Sequence, residues 1–231
     1  MADAAGGRMT FTVEVLSSPR FADDAAARVA LALPGEGSVV LTGGTTARPV
    51  YACLAEADIG WGGLDVLFSD ERCVPPDDDA SNFGMASEAL LRGARPRRVH
   101  RMRGEEDPEA AARAYDEEIA PLVEHGLDLV LLGMGADCHV AGLFPSSPAL
   151  GEGRRLCRAV DRPDGMRGLT LTPPALRAGS RVLLLVAGRA KADAVRRAVA
   201  GDEPPETCPA RLLASHPDAV FLLDDAAAGA L

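Results

Sequence analysis

Five short runs in this chain, SVVLT at 38–42, LDVLFS at 64–69, LDLVLL at 127–132, RVLLLVA at 181–187 and AVFLL at 219–223, are almost unbroken in apolar residues. A strand with one wet face alternates, whereas a continuous apolar run is buried on both faces, as in a parallel sheet sandwiched between helices. Amphipathic stretches between the runs supply those helices. One spans 18–33, with Ser18 as cap and Pro19 at its first position. Others run over 47–57 (Val50, Cys53 and Leu54 on one face), from near Ser81-Asn82, over 108–123 and over about 190–200. MTFTVEVL at 9–16 alternates as a further strand, and 99–102 and 169–172 form shorter ones. The expected fold is α/β: a doubly wound, mostly parallel sheet with helices on both faces. No shift of composition marks a linker, so residues 1–231 are expected to form a single domain.

Charge narrows the choice of partner. The formal net charge is −10, so the chain has no general field to gather nucleic acid or an anionic membrane surface, and an anionic ligand needs a local cationic pocket. The N-terminus lacks the basic and apolar regions of a signal peptide, and no uncharged apolar run reaches membrane-span length. The five cysteines are odd in number and lack C-x-x-C pairs, which points to a reducing cytoplasm. Basic charge is almost all arginine, and Lys191 is the one lysine of the chain.

In an open parallel sheet ligands bind beyond the carboxyl ends of the strands, and three segments fall there. Gly43-Gly44-Thr45-Thr46 joins a strand to a helix, where free N–H groups and the helix dipole suit an anion. Asp70-Glu71-Arg72 follows the third strand as a charged loop, clipped by Cys73-Val74-Pro75. After LDLVLL, the segment Gly133-Met134-Gly135-Ala136-Asp137-Cys138-His139 places an acid and a histidine two residues apart. Such a histidine can act as a general base whose tautomer a nearby carboxylate fixes, or it can simply cap the next helix. Adjacent Asp137, Cys138 and His139 cannot readily converge on one ion, so no metal is expected. The Gly133-to-Gly135 pattern lacks the third glycine of a dinucleotide site, and no G-x-S-x-G elbow is present.

Together LTGGTTARPVY, FSDERCVPPDDDASNF, LVLLGMGADCHVAGLFP and LTLTPPAL resemble the signature blocks of the 6-phosphogluconolactonase family, within a superfamily that also holds glucosamine-6-phosphate deaminase. The resemblance implies hydrolysis of 6-phospho-D-glucono-1,5-lactone in the pentose phosphate pathway without a cofactor. It puts the catalytic groups at His139, Asp137 and Asp70, and substrate-binding groups at Gly43, Gly44, Thr45, Arg72 and Lys191. The alternatives are a hexosamine-phosphate isomerase or deaminase, and a catalytically impaired sugar-phosphate-binding protein. Oligomeric state is left open, with a monomer the simpler expectation. Two departures stand out. The family pattern Asp-Gly-His-Thr-Ala-Ser here reads Asp137-Cys138-His139-Val140-Ala141-Gly142. An arginine that commonly precedes TLT is missing, Gly168 and Leu169 standing there with Arg167 just before, which implies a shifted or weaker phosphate site. A φ > 0 is expected at Cys138, along with a place on the active-site rim that makes its thiol the most reactive of the five.

Overall fold

A computed structural model describes residues 11–231. Residues 9 and 10 of the first expected strand, and the N-terminal segment read for a signal peptide, lie outside the described residues. Seven strands form one parallel sheet in the order β1-β10-β9-β6-β2-β3-β5: β1 (Thr12–Leu16), β2 (Gly37–Leu41), β3 (Leu64–Phe68), β5 (Arg98–Val99), β6 (Leu127–Gly133), β9 (Gly179–Val186) and β10 (Ala219–Asp224). The strand order accounts for the apolar runs. The central strands have neighbours on both edges and helices on both faces, and Val39, Val40, Val130, Leu131 and Leu184 are fully buried.

Alternate residues of each strand feed two separate cores. On one face Val39, Leu41, Val66 and Leu131 pack with α1 (Phe21–Ala32), α2 (Ala47–Ala55) and a helix that starts as α3 (Asn82–Ala86), passes through a π-helical stretch (Ser87–Leu91) and ends as α4 (Arg92–Ala94). On the other, Val40, Leu67, Val130 and Leu132 pack with α5 (Pro108–His125), α6 (Pro173–Arg177), α7 (Ala192–Ala200) and α8 (Asp225–Ala228). Local chemistry sets the ends of α5: Asp107 accepts the Ala110 N–H at 2.9 Å, Pro108 occupies the first turn, and Gly126 follows at φ +91°. These are an N-cap, a helix-compatible proline and a glycine stop.

Several local expectations are corrected. Ser18 does not cap a helix: Ser18–Arg20 is a 3₁₀ turn before α1, and the Ser18 N–H is taken by Asp225. The strand expected over 99–102 is only Arg98–Val99. Asp70-Glu71-Arg72 is no loop but strand β4 (Asp70–Arg72), which joins β8 (Arg167–Leu171) and β7 (Cys157–Asp161) in a small antiparallel sheet of order β4-β8-β7. Neither β7 nor α8 is foreseen in the sequence. From β2 the chain winds outward to β3 and β5, and from β6 it winds the opposite way to β9 and β10. The crevice beyond β2 and β6 is therefore the topological switch point, the expected ligand position in such a sheet.

Candidate active site

The loop after β2 is pinned by a buried tyrosine. Tyr51 on α2 takes the Thr42 N–H and donates to the Thr42 carbonyl, both at 2.8 Å. Gly43 is required next, because a Cβ there would stand 1.8 Å from Asn82 Oδ1. Gly44 turns the chain at φ +98° into α2. Among the described residues no protein acceptor takes the N–H groups of Gly43, Gly44 or Thr45, so this helix start is open to an anion.

Beyond β3 the triplet divides its labour. Asp70 is buried at the edge of the crevice, its carboxylate taking the Ser69 hydroxyl at 2.7 Å and the Asn82 amide at 3.0 Å. Glu71 turns away from the crevice and caps the start of α3, accepting the N–H groups of Asn82 and Phe83 at 2.7 Å each. It also takes the Arg72 N–H at 2.8 Å and the Ser81 hydroxyl at 3.0 Å. Burial pushes the Glu71 carboxyl up, and these donors pull it back. Arg72 gives one nitrogen to the Ala80 carbonyl at 2.6 Å, while its buried Nε has no partner. Among the described residues no carboxylate pairs with Arg72, which leaves its charge available to a ligand.

The loop after β6 carries the acid and the histidine. Asp137 Oδ1 lies 2.6 Å from His139 Nδ1 and also accepts the His139 N–H at 3.2 Å. Burial pushes the Asp137 carboxyl up, but the hydrogen bond and charge of His139 outweigh it and hold the group below its ordinary value. A carboxylate at Nδ1 fixes that nitrogen as the donor and leaves the lone pair on Nε2. Gly135 makes the pair possible, since a Cβ there would fall 2.1 Å from His139 Nδ1 and 2.4 Å from Asp137 Oδ1. Phe144 supports the imidazole from the side, ring centroids 4.5 Å apart. At the entry to α7, Lys191 reaches back to donate to the Met134 carbonyl at 2.6 Å; burial lowers its ammonium and the charge of Asp137 opposes that.

Gly43, Gly44, Thr45, Asp70, Arg72, His139 and Lys191 line one open cleft at the switch point, and Asp137 stands behind His139. The structure therefore brings together the eight residues expected to be catalytic or substrate-binding, while Glu71 is left out. It adds Asn82, whose SNF setting marks only a helix start, and Arg162, for which the sequence carries no signal. Arg167 is not in this cleft: it pairs outward with Glu109 and Asp161. Cys138 does take φ +70°, but it is fully buried and its thiol faces the Ala194 carbonyl at 3.6 Å. It is thus no rim residue. The Gly142 departure also has a local cause. Its N–H donates to Thr170 Oγ1 at 2.9 Å, and a Cβ would meet Thr170 Cβ at 2.9 Å. Among the described residues no group of three or more His, Cys, Asp or Glu is placed to hold a metal ion, and no helix is long and apolar enough to cross a membrane.

The sequence and the fold also match known proteins. The family described as glucosamine-6-phosphate isomerases/6-phosphogluconolactonase matches residues 14–222. The chain is 38% identical over 207 residues to the 6-phosphogluconolactonase of Synechocystis sp., with 86% of each chain covered. It is likewise 38% identical over 237 residues to that of Streptomyces coelicolor, covering 91% of this chain and 90% of the relative. The solved structure of 6-phosphogluconolactonase from Trypanosoma cruzi matches with a TM-score of 0.84 at 27% identity, covering 97% of this chain and 98% of that one.

Proposed function

The chain belongs to the glucosamine-6-phosphate isomerase/6-phosphogluconolactonase family, and on that premise we propose that it hydrolyses 6-phospho-D-glucono-1,5-lactone to 6-phospho-D-gluconate, a step of the pentose phosphate pathway. The observation that carries this reading is the Asp137–His139 pair, closed at 2.6 Å, set in a cleft that also holds Asp70, a glycine-lined helix start and the cations Arg72, Arg162 and Lys191. The phosphate is held by Arg72, Lys191 and the N–H groups of Gly43 and Gly44, which suit an oxyanion that carries no sequence-specific shape. Asp70, fixed by Ser69 and Asn82, keeps acceptor capacity free to orient a sugar hydroxyl.

With the phosphate anchored, the lactone carbonyl faces His139. Nε2 takes a proton from water as the water oxygen bonds to the carbonyl carbon. Asp137 stabilises the imidazolium that forms. The tetrahedral oxyanion then collapses, the ring C–O bond breaks, and the imidazolium returns the proton to the departing ring oxygen. Water has been added across the ester, and the enzyme is back in its starting protonation state. Anchoring at the remote phosphate lets binding energy orient the reacting end.

The test is an assay of lactone opening above the spontaneous rate beside an assay of ammonia release from glucosamine 6-phosphate. His139→Asn is expected to lower kcat by about 10² to 10⁴-fold with KM near the wild-type value, the usual worth of a general base. Ammonia release without lactone opening, or a variant within a few fold of wild type, overturns the reading.

A further inference from the structure

Arg162 is the cleft residue with no assigned part. It sits past the end of β7, yet its side chain is only 10% exposed, because it is laid across a neighbouring strand. Gly168 on β8 is the cross-strand partner of Arg72 on one side and of Val160 on the other. Directly opposed residues in an antiparallel pair point to the same face, so a side chain at 168 would stand beside that of Arg72. That space is filled by Arg162: a Cβ on Gly168 would lie 3.1 Å from Arg162 Cδ and 3.4 Å from its Cγ. Three further contacts fix the guanidinium. Asp164 accepts from it at 3.0 and 3.2 Å, and the guanidinium carbon lies 5.3 Å from the ring centroid of Phe144, the ring that also supports His139.

We propose that Arg162, delivered over Gly168, is the second guanidinium of the phosphate clamp, paired with Arg72 on the same face of the small sheet. The inference rests on the lactonase reading and extends it. Two guanidiniums held side by side repel, and the one carboxylate that binds Arg162 among the described residues, Asp164, carries a single charge. Asp164 is held below its ordinary value, first by the hydrogen bond from Arg162, with the charge of Arg72 adding to it. A dianionic phosphate is the ligand that satisfies such a pair, since each fork can give two parallel N–H bonds to its oxygens. The glycine at 168 is then a specificity element: the space it leaves belongs to a cation that enters from beyond the end of β7.

The experiment measures wild type, Arg162→Gln, Gly168→Val and the double variant for lactone hydrolysis and for calorimetric binding of 6-phosphogluconate and of inorganic phosphate. Arg162→Gln is expected to weaken 6-phosphogluconate by about 10- to 100-fold, the range for a lost charged hydrogen bond, with KM rising in step and kcat within about threefold. Gly168→Val should move KM in the same direction by evicting Arg162, and the double variant should be no worse than the weaker single one. Unchanged KM and product affinity in Arg162→Gln, or a fall in kcat at constant KM, overturns the clamp. Wild type without lactone hydrolysis overturns the parent reading instead, and weaker binding of inorganic phosphate by Arg162→Gln still supports the clamp in that case.

Discussion

Gly135 shows how a residue with no side chain governs chemistry. The Asp137–His139 hydrogen bond occupies the volume where its Cβ would be, so Gly135→Ala is expected to split the pair while leaving the buried strand β6 intact. Turnover should fall by about 10²-fold or more, as for loss of a positioned base, with thermal unfolding close to wild type; full activity in the alanine variant would detach the pair from catalysis. Cys138 teaches the opposite lesson. Its positive φ stores about 1–3 kcal/mol of strain, consistent with the glycine that the resemblance places there, yet the strained backbone turns the thiol inward rather than onto the rim. Alkylation of the native protein should therefore label the partly exposed Cys53 and Cys73 first, and Cys138, Cys157 and Cys208 only on unfolding. Rapid labelling of native Cys138 would contradict its burial.

Among the elements, those that are legible in the sequence are those whose burial is symmetric. LDLVLL and RVLLLVA become the adjacent central strands β6 and β9 because their charged residues, Asp128 and Arg181, stand near the strand starts and the apolar stretches 129–132 and 182–186 are uninterrupted on both faces. β4 reads as a solvated loop because DER is all charge; it is a strand only because Glu71 finds its donors in α3 and the Asp70 carboxylate turns to Ser69 and Asn82. β7 is obscured for a related reason, since CRAVD carries charge at both Arg158 and Asp161. The edge strand β5 is two residues long and is clamped by charge. Arg97, just before it, binds the Asp65 carboxylate on β3 at 2.8 and 3.1 Å. That hydrogen bond, over the opposing effect of burial, holds the Asp65 carboxyl below its ordinary value. A carboxyl lowered in the folded state contributes stability above its unfolded pKa, about 3.9, and loses it as pH falls through the folded value. Asp65→Asn is thus expected to lower Tm at pH 7, with the gap to wild type closing in acid below about pH 4. A gap that stays constant down to about pH 2 would mean that the clamp carries no charge term.

At the scale of the molecule, the site belongs to neither half of the sheet. Gly43 to Thr45, Asp70 and Arg72 follow strands on the β2-β3-β5 side. Asp137, His139 and Lys191 follow strands on the β6-β9-β10 side, and Arg162 enters from the small sheet. The segments carrying Gly43, Asp70 and His139 are legible in the sequence because each directly follows an apolar strand and the switch-point rule says where such loops meet, and Lys191 stands out as the one lysine. Arg162 is not legible, because its position depends on which strand lies beside Gly168, and that is set by a pairing between residues 96 to 100 positions apart in sequence, between β4 and β8. A ligand in this cleft therefore couples three parts of the fold that no covalent neighbour joins. With 6-phosphogluconate at 100 times its Kd, linkage supplies about 2.7 kcal/mol. For a chain of this size, at about 2–4 °C per kcal/mol, Tm is expected to rise by roughly 5–11 °C. Hydrogen exchange should slow together at 42–46, 70–72, 133–139, 162–164 and 188–191. Protection confined to the segments of one half would show that the ligand sits on that half alone, and the switch-point crevice would then not be where the substrate binds.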